Sequence, residues 1–108
     1  MIDTNHNVYK VLILACKAAK DSITNDDGGS CNMDTVIVKI PAGLDFAAYA
    51  KAAGLLGFNE EKERSELGWH TLMPPIPAQG FNRTNQVEAM AKVLSEAGFS
   101  AYVNYVMD

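Results

Sequence analysis

Clustered positive charge is missing from this chain. No run of lysines or arginines occurs, and 9 basic side chains stand against 13 acidic ones, for a net charge of −4. Non-specific binding to nucleic acid depends on clustered cations that neutralise phosphates. We therefore expect no direct nucleic-acid binding.

Cysteine and histidine are also scarce. The chain has two cysteines, Cys16 and Cys31, without a CxxC spacing, and two histidines, His6 and His70, far apart in sequence. These residues give a zinc site little support, so we expect neither a metal nor a cofactor. Cys16 falls within an amphipathic helical pattern, where it is expected to be a small buried side chain.

Long apolar runs are missing as well. No segment approaches the roughly 20 apolar residues that a membrane-spanning helix needs. The first five residues, MIDTN, lack the basic and apolar regions of a signal peptide. The sequence therefore predicts a cytoplasmic protein with reduced thiols and no membrane partner.

What remains is an ordinary globular composition. Hydrophobic residues make up 48% of the 108 residues and charged residues 20%. Compact domains with one core commonly have this length, and a second core would have too few residues. We expect residues 1–108 to form a single domain that folds without disulfides or metals.

Helix and strand patterns alternate through the first half of the chain. From Val8 to Ala19, apolar residues recur every three or four positions, which predicts a helix with Asn5 or Asn7 at its start. Thr35 to Ile40 is β-branched at nearly every position and predicts an interior strand. A second helix follows, with Asp45 as its predicted cap.

The alternation continues to the end of the chain. Trp69 to Met73 is predicted as a strand, with alternate side chains on opposite faces. The next helix has a capping-box-like start at Asn85 and Glu88, and Gly98 stands where a left-handed C-terminal cap belongs. Phe99 to Met107 is predicted as the last strand.

The predicted order is therefore helix, strand, helix, strand, helix, strand. Such alternation favours parallel strands joined by right-handed crossovers. We expect an α/β or α+β fold, a two-layer sandwich in which three helices pack on a three-stranded sheet, mainly parallel or mixed. The polar, glutamate-rich segment 59–67 is predicted to be an exposed loop or a short solvated helix.

Residues 74–85, PPIPAQGFNRTN, form a proline- and glycine-rich loop that leads into a helix. A helix start carries unpaired N–H groups and a partial positive charge, and Arg83 can grip a phosphate or carboxylate with two parallel hydrogen bonds. Polar residues of the loop before the first predicted strand complete the hypothesis. The candidate ligand-binding residues are Asn32, Asp34, Gln79, Gly80, Asn82, Arg83 and Thr84.

A purely structural interpretation of the same segment is also open. Gly80 then serves a turn, Thr84 or Asn85 caps the helix, and Arg83 is solvated. The spacing matches neither a P-loop nor a dinucleotide-binding fingerprint. Gly80 and Arg83 are the residues for which the pattern suggests no other role.

Two further classes of function stay open. In a small hydrolase or transferase, Cys31 would be the nucleophile and His70 its base, although the acidic residues around Cys31 disfavour a reactive thiolate. We therefore assign no catalytic residue and expect a protein that is not an enzyme. In a structural or assembly role, the last strand would be an open edge that pairs across a homodimer.

Several segments are similar to a known group of proteins. They are 31–34 (CNMD), 79–84 (QGFNRT), 88–91 (EAMA), 96–103 (EAGFSAYV) and 105–108 (YVMD). With these segments the chain resembles small uncharacterised proteins encoded by phages and prophages of gut bacteria. The resemblance implies an accessory protein in the bacterial host cell that binds and inhibits a host factor, including a defence protein, or sequesters an anionic, nucleotide-like ligand.

Overall fold

The computed structural model describes residues 2–26, 28–59 and 68–107. Within them the chain forms three helices and four strands. In chain order these are α1 (Asn7–Asp21), β1 (Thr35–Lys39), α2 (Phe46–Ala52), β2 (Gly57–Asn59), β3 (Trp69–Leu72), α3 (Gly80–Glu96) and β4 (Ala101–Asn104). None of the described helices combines the length and the apolar character that crossing a bilayer requires.

Helix α1 forms where the apolar periodicity predicts it. Its buried residues repeat every three or four positions and include Cys16, as expected. The predicted caps Asn5 and Asn7 are wrong. His6 is the N-cap, because its Nδ1 accepts a hydrogen bond of 3.1 Å from the N–H of Val8 and so satisfies a free donor of the first turn.

The four strands form one sheet in the order β2-β3-β1-β4. Every pairing is antiparallel, with Val38 opposite His70 in β3 and Ile37 opposite Tyr102 in β4. Strand β1 is therefore an interior strand, as its continuous apolar run predicts. The expected three-stranded, mainly parallel or mixed sheet and the order helix, strand, helix, strand, helix, strand are wrong, whereas the α+β class with three described helices is confirmed.

The parallel prediction fails for a topological reason. Strands joined by a helix do run parallel, but each such pair has an antiparallel strand between its members: β3 separates β1 from β2, and β1 separates β3 from β4. Among the described elements, this strand order with the succession β-α-β-β-α-β matches the split βαβ arrangement of ferredoxin-like folds. Here α1 precedes that unit.

Strand β2 is the element that the sequence pattern missed. It has only three residues and begins at Gly57, which looks like the end of a helix. A Cβ at Gly57 would lie 2.6 Å from Cε2 of Phe46 and 2.9 Å from Cβ of Ala50, so glycine allows β2 to pack closely on α2. The predicted cap of α2 is confirmed, since Oδ1 of Asp45 accepts from the N–H of Ala48 at 3.3 Å.

The helices share one face of the sheet, and the core lies between the two layers. Val36, Val38 and Ile40 join side chains of all three helices in one buried cluster. From β3, Leu72 joins this cluster and His70 stacks on Phe46 with ring centroids 4.5 Å apart. The predicted alternation of β3 is therefore confirmed for its helix-facing side.

Helix α3 begins earlier than predicted. Its first residue is Gly80 and its N-cap is Gln79, so Asn85 and Glu88 lie inside the helix and the capping-box prediction is wrong. The predicted C-terminal cap is confirmed, because Gly98 has φ +97 just after the helix. Segment 59–67, apart from Asn59 in β2, lies outside the described residues.

Strand β4 is shorter than the predicted 99–107, but pairing continues beyond it. The N–H of Met33 donates to the carbonyl of Val106 at 2.7 Å, and Asn32 forms an isolated bridge with Met107. Residues 105–107 therefore extend the β4 side of the sheet alongside the segment that precedes β1.

Candidate functional site

The predicted site residues lie around the first two turns of α3, where two segments distant in sequence meet. They do not converge on one pocket. Five of them form a hydrogen-bonded group that we call the Asp34 cluster: Asn32, Asp34, Gly80, Arg83 and Thr84. Asn82 and Gln79 face a different part of the molecule.

Asp34 is the centre of the Asp34 cluster. Its side chain is buried, with 3% of the residue exposed. Oδ2 accepts a hydrogen bond of 2.7 Å from the hydroxyl of Thr84, and Oδ1 accepts one of 2.9 Å from the N–H of Val106. The carboxylate therefore ties α3 to the C-terminal segment, and both of its oxygens have donors, as burial of a charge requires.

The side chains of Asn32 and Arg83 complete the cluster. Nδ2 of Asn32 donates to the carbonyl of Gly80 at 3.1 Å and to the hydroxyl oxygen of Thr84 at 3.2 Å. Nε of Arg83 donates to the carbonyl of Asp34 at 3.0 Å. Arg83 thus has a structural contact, contrary to the expectation from the sequence.

Gly80 also has a structural role, and the expectation that it has none is wrong. Its φ is +59, and a Cβ there would overlap the carbonyl oxygen of Gly28. That same carbonyl accepts a hydrogen bond of 3.0 Å from the N–H of Phe81, one of the free donors at the start of α3. Glycine is therefore required for the loop around Gly28 to lie against the helix start.

Asn82 binds the backbone of that loop. Its Oδ1 accepts from the N–H of Thr24 at 2.9 Å, and its Nδ2 donates to the carbonyls of Thr24 at 2.9 Å and Asp26 at 3.2 Å. The amide is buried, and its donor and acceptor sites are used. Asn82 is therefore a crosslink between α3 and the loop that follows α1.

Gln86 is a buried polar residue that the sequence prediction did not include. Oε1 accepts from the N–H of Ile76 and Nε2 donates to the carbonyl of Ile76, both at 3.0 Å, and Nε2 also reaches the carbonyl of Asn82. The polar residue inside an otherwise apolar helical stripe was the available signal. Gln86 fixes the proline-rich loop against α3.

Gln79 lines a separate cavity of about 400 Å³. The side chain of Gln79 makes no capping hydrogen bond to α3. The cavity lies between the loop after α1 and the loop before α3, and no charged side chain from residues 2–26, 28–59 or 68–107 lines it. Its lining residues are Ile23, Thr24, Ile76, Pro77, Ala78, Gln79 and Asn82.

The Asp34 cluster holds one carboxylate, that of Asp34, and one guanidinium, that of Arg83. The buried carboxylate lies close to the start of α3, where it complements the positive end of the helix dipole. Farther along α3, Glu88 contacts the hydroxyl of Tyr105. The pKa of Tyr105 is raised by desolvation, by the charge and hydrogen bond of Glu88, and by the charge of Asp34. An anion placed here would meet the carboxylates of Asp34 and Glu88 as well as the guanidinium of Arg83. The hydrogen bonds within the cluster hold three segments of the chain together.

The Cys31 and His70 pair is not brought together. Cys31 is exposed next to the bridge between Asn32 and Met107, whereas His70 lies opposite Val38 and stacks on Phe46. Val38 lies six positions after Asn32 along extended chain, which is about 20 Å at ~3.3 Å per residue. Burial lowers the pKa of His70, so this histidine is a neutral core side chain at neutral pH.

No group of three histidine, cysteine, aspartate or glutamate side chains with metal-binding geometry occurs among residues 2–26, 28–59 and 68–107. Large apolar side chains are instead exposed around the Asp34 cluster. They are Met33, Phe81, Tyr105, Val106 and Met107. The sequence signal for this surface was the apolar, uncharged C-terminal segment itself.

Substitution of Gly80 tests its close contact with the Gly28 loop. We expect Gly80→Ala to lower the free energy of unfolding by about 1–2 kcal/mol for the positive φ and by about 1–3 kcal/mol more because the loop must move. Gly43→Ala is the control, since Gly43 has φ +87 but no atom within 4 Å of its Cβ position. Chemical denaturation measures both, and equal losses would contradict the structural role of Gly80.

Substitution of Thr84 tests the buried hydrogen bond to Asp34. Thr84→Val keeps the shape of the side chain but leaves Oδ2 of Asp34 without its donor, so we expect unfolding free energy to fall by about 2 kcal/mol. Thr84→Ser keeps the hydroxyl and should lose less than half as much. Denaturant titration of the two variants compares them directly; a serine variant as unstable as the valine variant would show that the hydroxyl is unimportant.

The chain has no match among the known proteins with which it was compared. No family model matches the chain, and neither the curated proteins nor the solved structures include a match. The split βαβ arrangement therefore rests on the strand order alone, and the resemblance to phage-encoded proteins stays a prediction.

Proposed function

We propose that the chain is a non-enzymatic accessory protein of the phage type that acts by binding another protein, and that the binding surface is the outer edge of β4 with its continuation to Met107. The observation that carries the proposal is a run of seven uncharged residues, AYVNYVM at 101–107, along an edge of the sheet. A host protein is the partner that this proposal assigns.

The backbone of this edge supports binding by strand addition. The hydrogen bonds from Lys39 to Ser100 and from Met33 to Val106 follow the same register as the β1–β4 ladder. Alternation along an antiparallel strand then directs the N–H and C=O groups of Val103 and Tyr105 away from β1. An added strand satisfies such outward groups, which is the basis of recognition at sheet edges.

The side chains of the edge also favour a protein partner. Tyr105 is 62% exposed and Met107 is 82% exposed, and Met33 and Val106 are exposed beside them. Edge strands of monomeric proteins are commonly protected by lysine, proline or a bulge. Segment 101–107 contains no charged residue and no proline, so it lacks the first two of these protections.

The Asp34 cluster supports this surface indirectly. Asp34 holds the N–H of Val106, and Met33 holds its carbonyl, so residues 105–107 are fixed as a continuation of the sheet. Because the polar groups of the cluster bind one another, ligand sequestration through Arg83 has less support than binding of a protein.

Capture of a partner from lysate of the bacterial host tests the edge with two variants of one residue. Val103→Pro removes an outward N–H but no bond to β1, so the fold should persist while capture falls at least tenfold. Val103→Thr keeps the N–H and the shape and should capture as well as the natural chain. Mass spectrometry of the retained proteins measures both.

Equal capture by the proline and threonine variants would contradict binding at this edge. Circular dichroism of the two variants confirms that a loss of capture does not reflect unfolding.

The cavity beside Gln79 favours a second candidate, sequestration of a small ligand. Its volume of about 400 Å³ falls in the range of small-molecule sites, and it opens beside the positive end of α3. Unlike the Asp34 cluster, it has no carboxylate among the lining residues that the structure describes. A nucleotide would place its ring against Ile23 and Ile76 and its phosphate toward the helix start.

Calorimetric titration with adenosine monophosphate tests this candidate. Ala78→Phe fills the cavity and should abolish the heat of binding, whereas Arg83→Ala should leave it unchanged because Arg83 contacts Asp34 outside the cavity. An absence of heat with the natural chain rejects the candidate. Loss of heat only in Arg83→Ala would place the ligand in the Asp34 cluster instead.

A further inference from the structure

We propose that a second copy of this chain covers the β4 edge, so that two sheets join about a two-fold axis that passes through Asn104. This proposal rests on the proposed function, because it uses the same β4 edge. In the purified protein, the occupant of that edge is a second copy of the chain. The pairing makes the eight strands of two copies one continuous antiparallel sheet, with both helix layers on the same side.

The hydrogen-bond geometry permits this pairing. The outward N–H and C=O groups belong to alternate residues, Ala101, Val103, Tyr105 and Met107. With Asn104 on the axis, Val103 of one copy stands opposite Tyr105 of the other, and both residues of each such pair exchange their N–H···O bonds. The hydroxyl of Ser95, which reaches the outward carbonyl of Ala101 at 3.3 Å, touches only the end of the edge.

The side chains along the edge are self-complementary in this register. Tyr105 meets Val103 on the helix side, and Tyr102 meets Val106 on the other face. Each tyrosine therefore faces a valine. A cross-strand pair of an aromatic and a β-branched side chain is favourable. Met107 meets Ala101, a large residue against a small one.

Neighbouring registers are poorer. With Val103 on the axis, Tyr102 would face Asn104, Tyr105 would face Ala101 and Val106 would face Ser100. With Tyr105 on the axis, two tyrosines would meet directly and Asn104 would face Val106. Only the register centred on Asn104 pairs the whole of segment 101–107 with itself.

Charge also favours this edge as the meeting point of two copies. Each chain carries a net charge of −4, so identical copies repel each other overall. The interface in a symmetric dimer must therefore avoid like charges, which face each other across a two-fold axis. Segment 101–107 itself contains no charged side chain, and the carboxylate of Glu88 that contacts it is already bonded to Tyr105 of its own copy. Asn104 can bond its own counterpart through complementary amide groups.

The opposite edge of the sheet is a weaker template. Strand β2 has three residues, whereas the β4 side extends from Ala101 to the bridge at Met107. The longer, apolar edge gains more from being covered. A second copy and a host protein would use the same backbone groups, so each excludes the other.

Analytical ultracentrifugation of charge variants at the axis tests the dimer. We expect the natural chain to sediment with twice the 11.7 kDa chain mass at high micromolar concentration. Asn104→Asp and Asn104→Lys place identical charges face to face, so each variant alone should be monomeric. An equimolar mixture of the two should regain the dimer mass, because the opposite charges then pair across the axis.

Several outcomes overturn the proposal. They are a natural chain that stays monomeric, a dimer that survives in Asn104→Asp, and a mixture that does not regain the dimer. Circular dichroism of the separate variants excludes unfolding, since Asn104 is exposed and both substitutions leave its backbone bonds to β1 intact.

The result is distinguishable from failure of the proposed function. A monomeric natural chain whose Val103→Pro variant loses partner capture removes the dimer and leaves host-protein binding in place. A dimer that follows the charge rule, combined with capture that is indifferent to Val103→Pro, removes host-protein binding at this edge and leaves the dimer.

Discussion

The buried carboxylate of Asp34 is the interaction on which the outer part of the structure depends. It joins three segments, which are the chain before β1, the start of α3 and the C-terminal residues. The contacts of Asn32 and Met33 connect the same segments. A carboxylate that is almost fully buried is costly unless donors surround it. Here Thr84 and the N–H of Val106 supply those donors. If one of these segments moves away, the buried carboxylate loses a donor and its desolvation is no longer compensated.

This constraint determines how the proposed binding surface is built. Because Asp34 and Met33 hold both backbone groups of Val106, the C-terminal residues stay in line with β4 and extend the edge of the sheet. The split βαβ topology places β4 at the edge and β1 inside. The side chains of the Asp34 cluster therefore hold the β4 edge in place. The exposed apolar residues Tyr105, Val106 and Met107 lie on that edge.

Local patterns predicted most of the elements but little of their arrangement. The helical stripe from Val8 to Ala19, the cap at Asp45 and the glycine at Gly98 act through neighbours in sequence, and the structure confirms them. Strand order depends on which apolar faces meet, and the three-residue β2 is too short to leave a pattern. For that reason the parallel sheet was predicted wrongly.

The candidate site shows the same division. The structure brings Asn32 and Asp34 next to Gly80, Arg83 and Thr84. The ligand-binding role that the sequence suggests for these residues stays a prediction. The sequence could not indicate that Asp34 is buried and that the polar groups bind one another, because that depends on Val106, 72 residues away. Nor could it indicate that the positive φ of Gly80 serves contact with Gly28.

Residue-resolved amide hydrogen exchange along 101–107, measured over a range of protein concentrations, tests most directly whether the outer edge of β4 is a binding surface. The N–H of Val106 should be protected at every concentration, because Asp34 holds it. The N–H groups of Val103 and Tyr105 should exchange rapidly in dilute protein and become protected as concentration rises or a partner is added. Exchange at Val103 and Tyr105 that is already slow in dilute protein, or that never changes, would contradict the account.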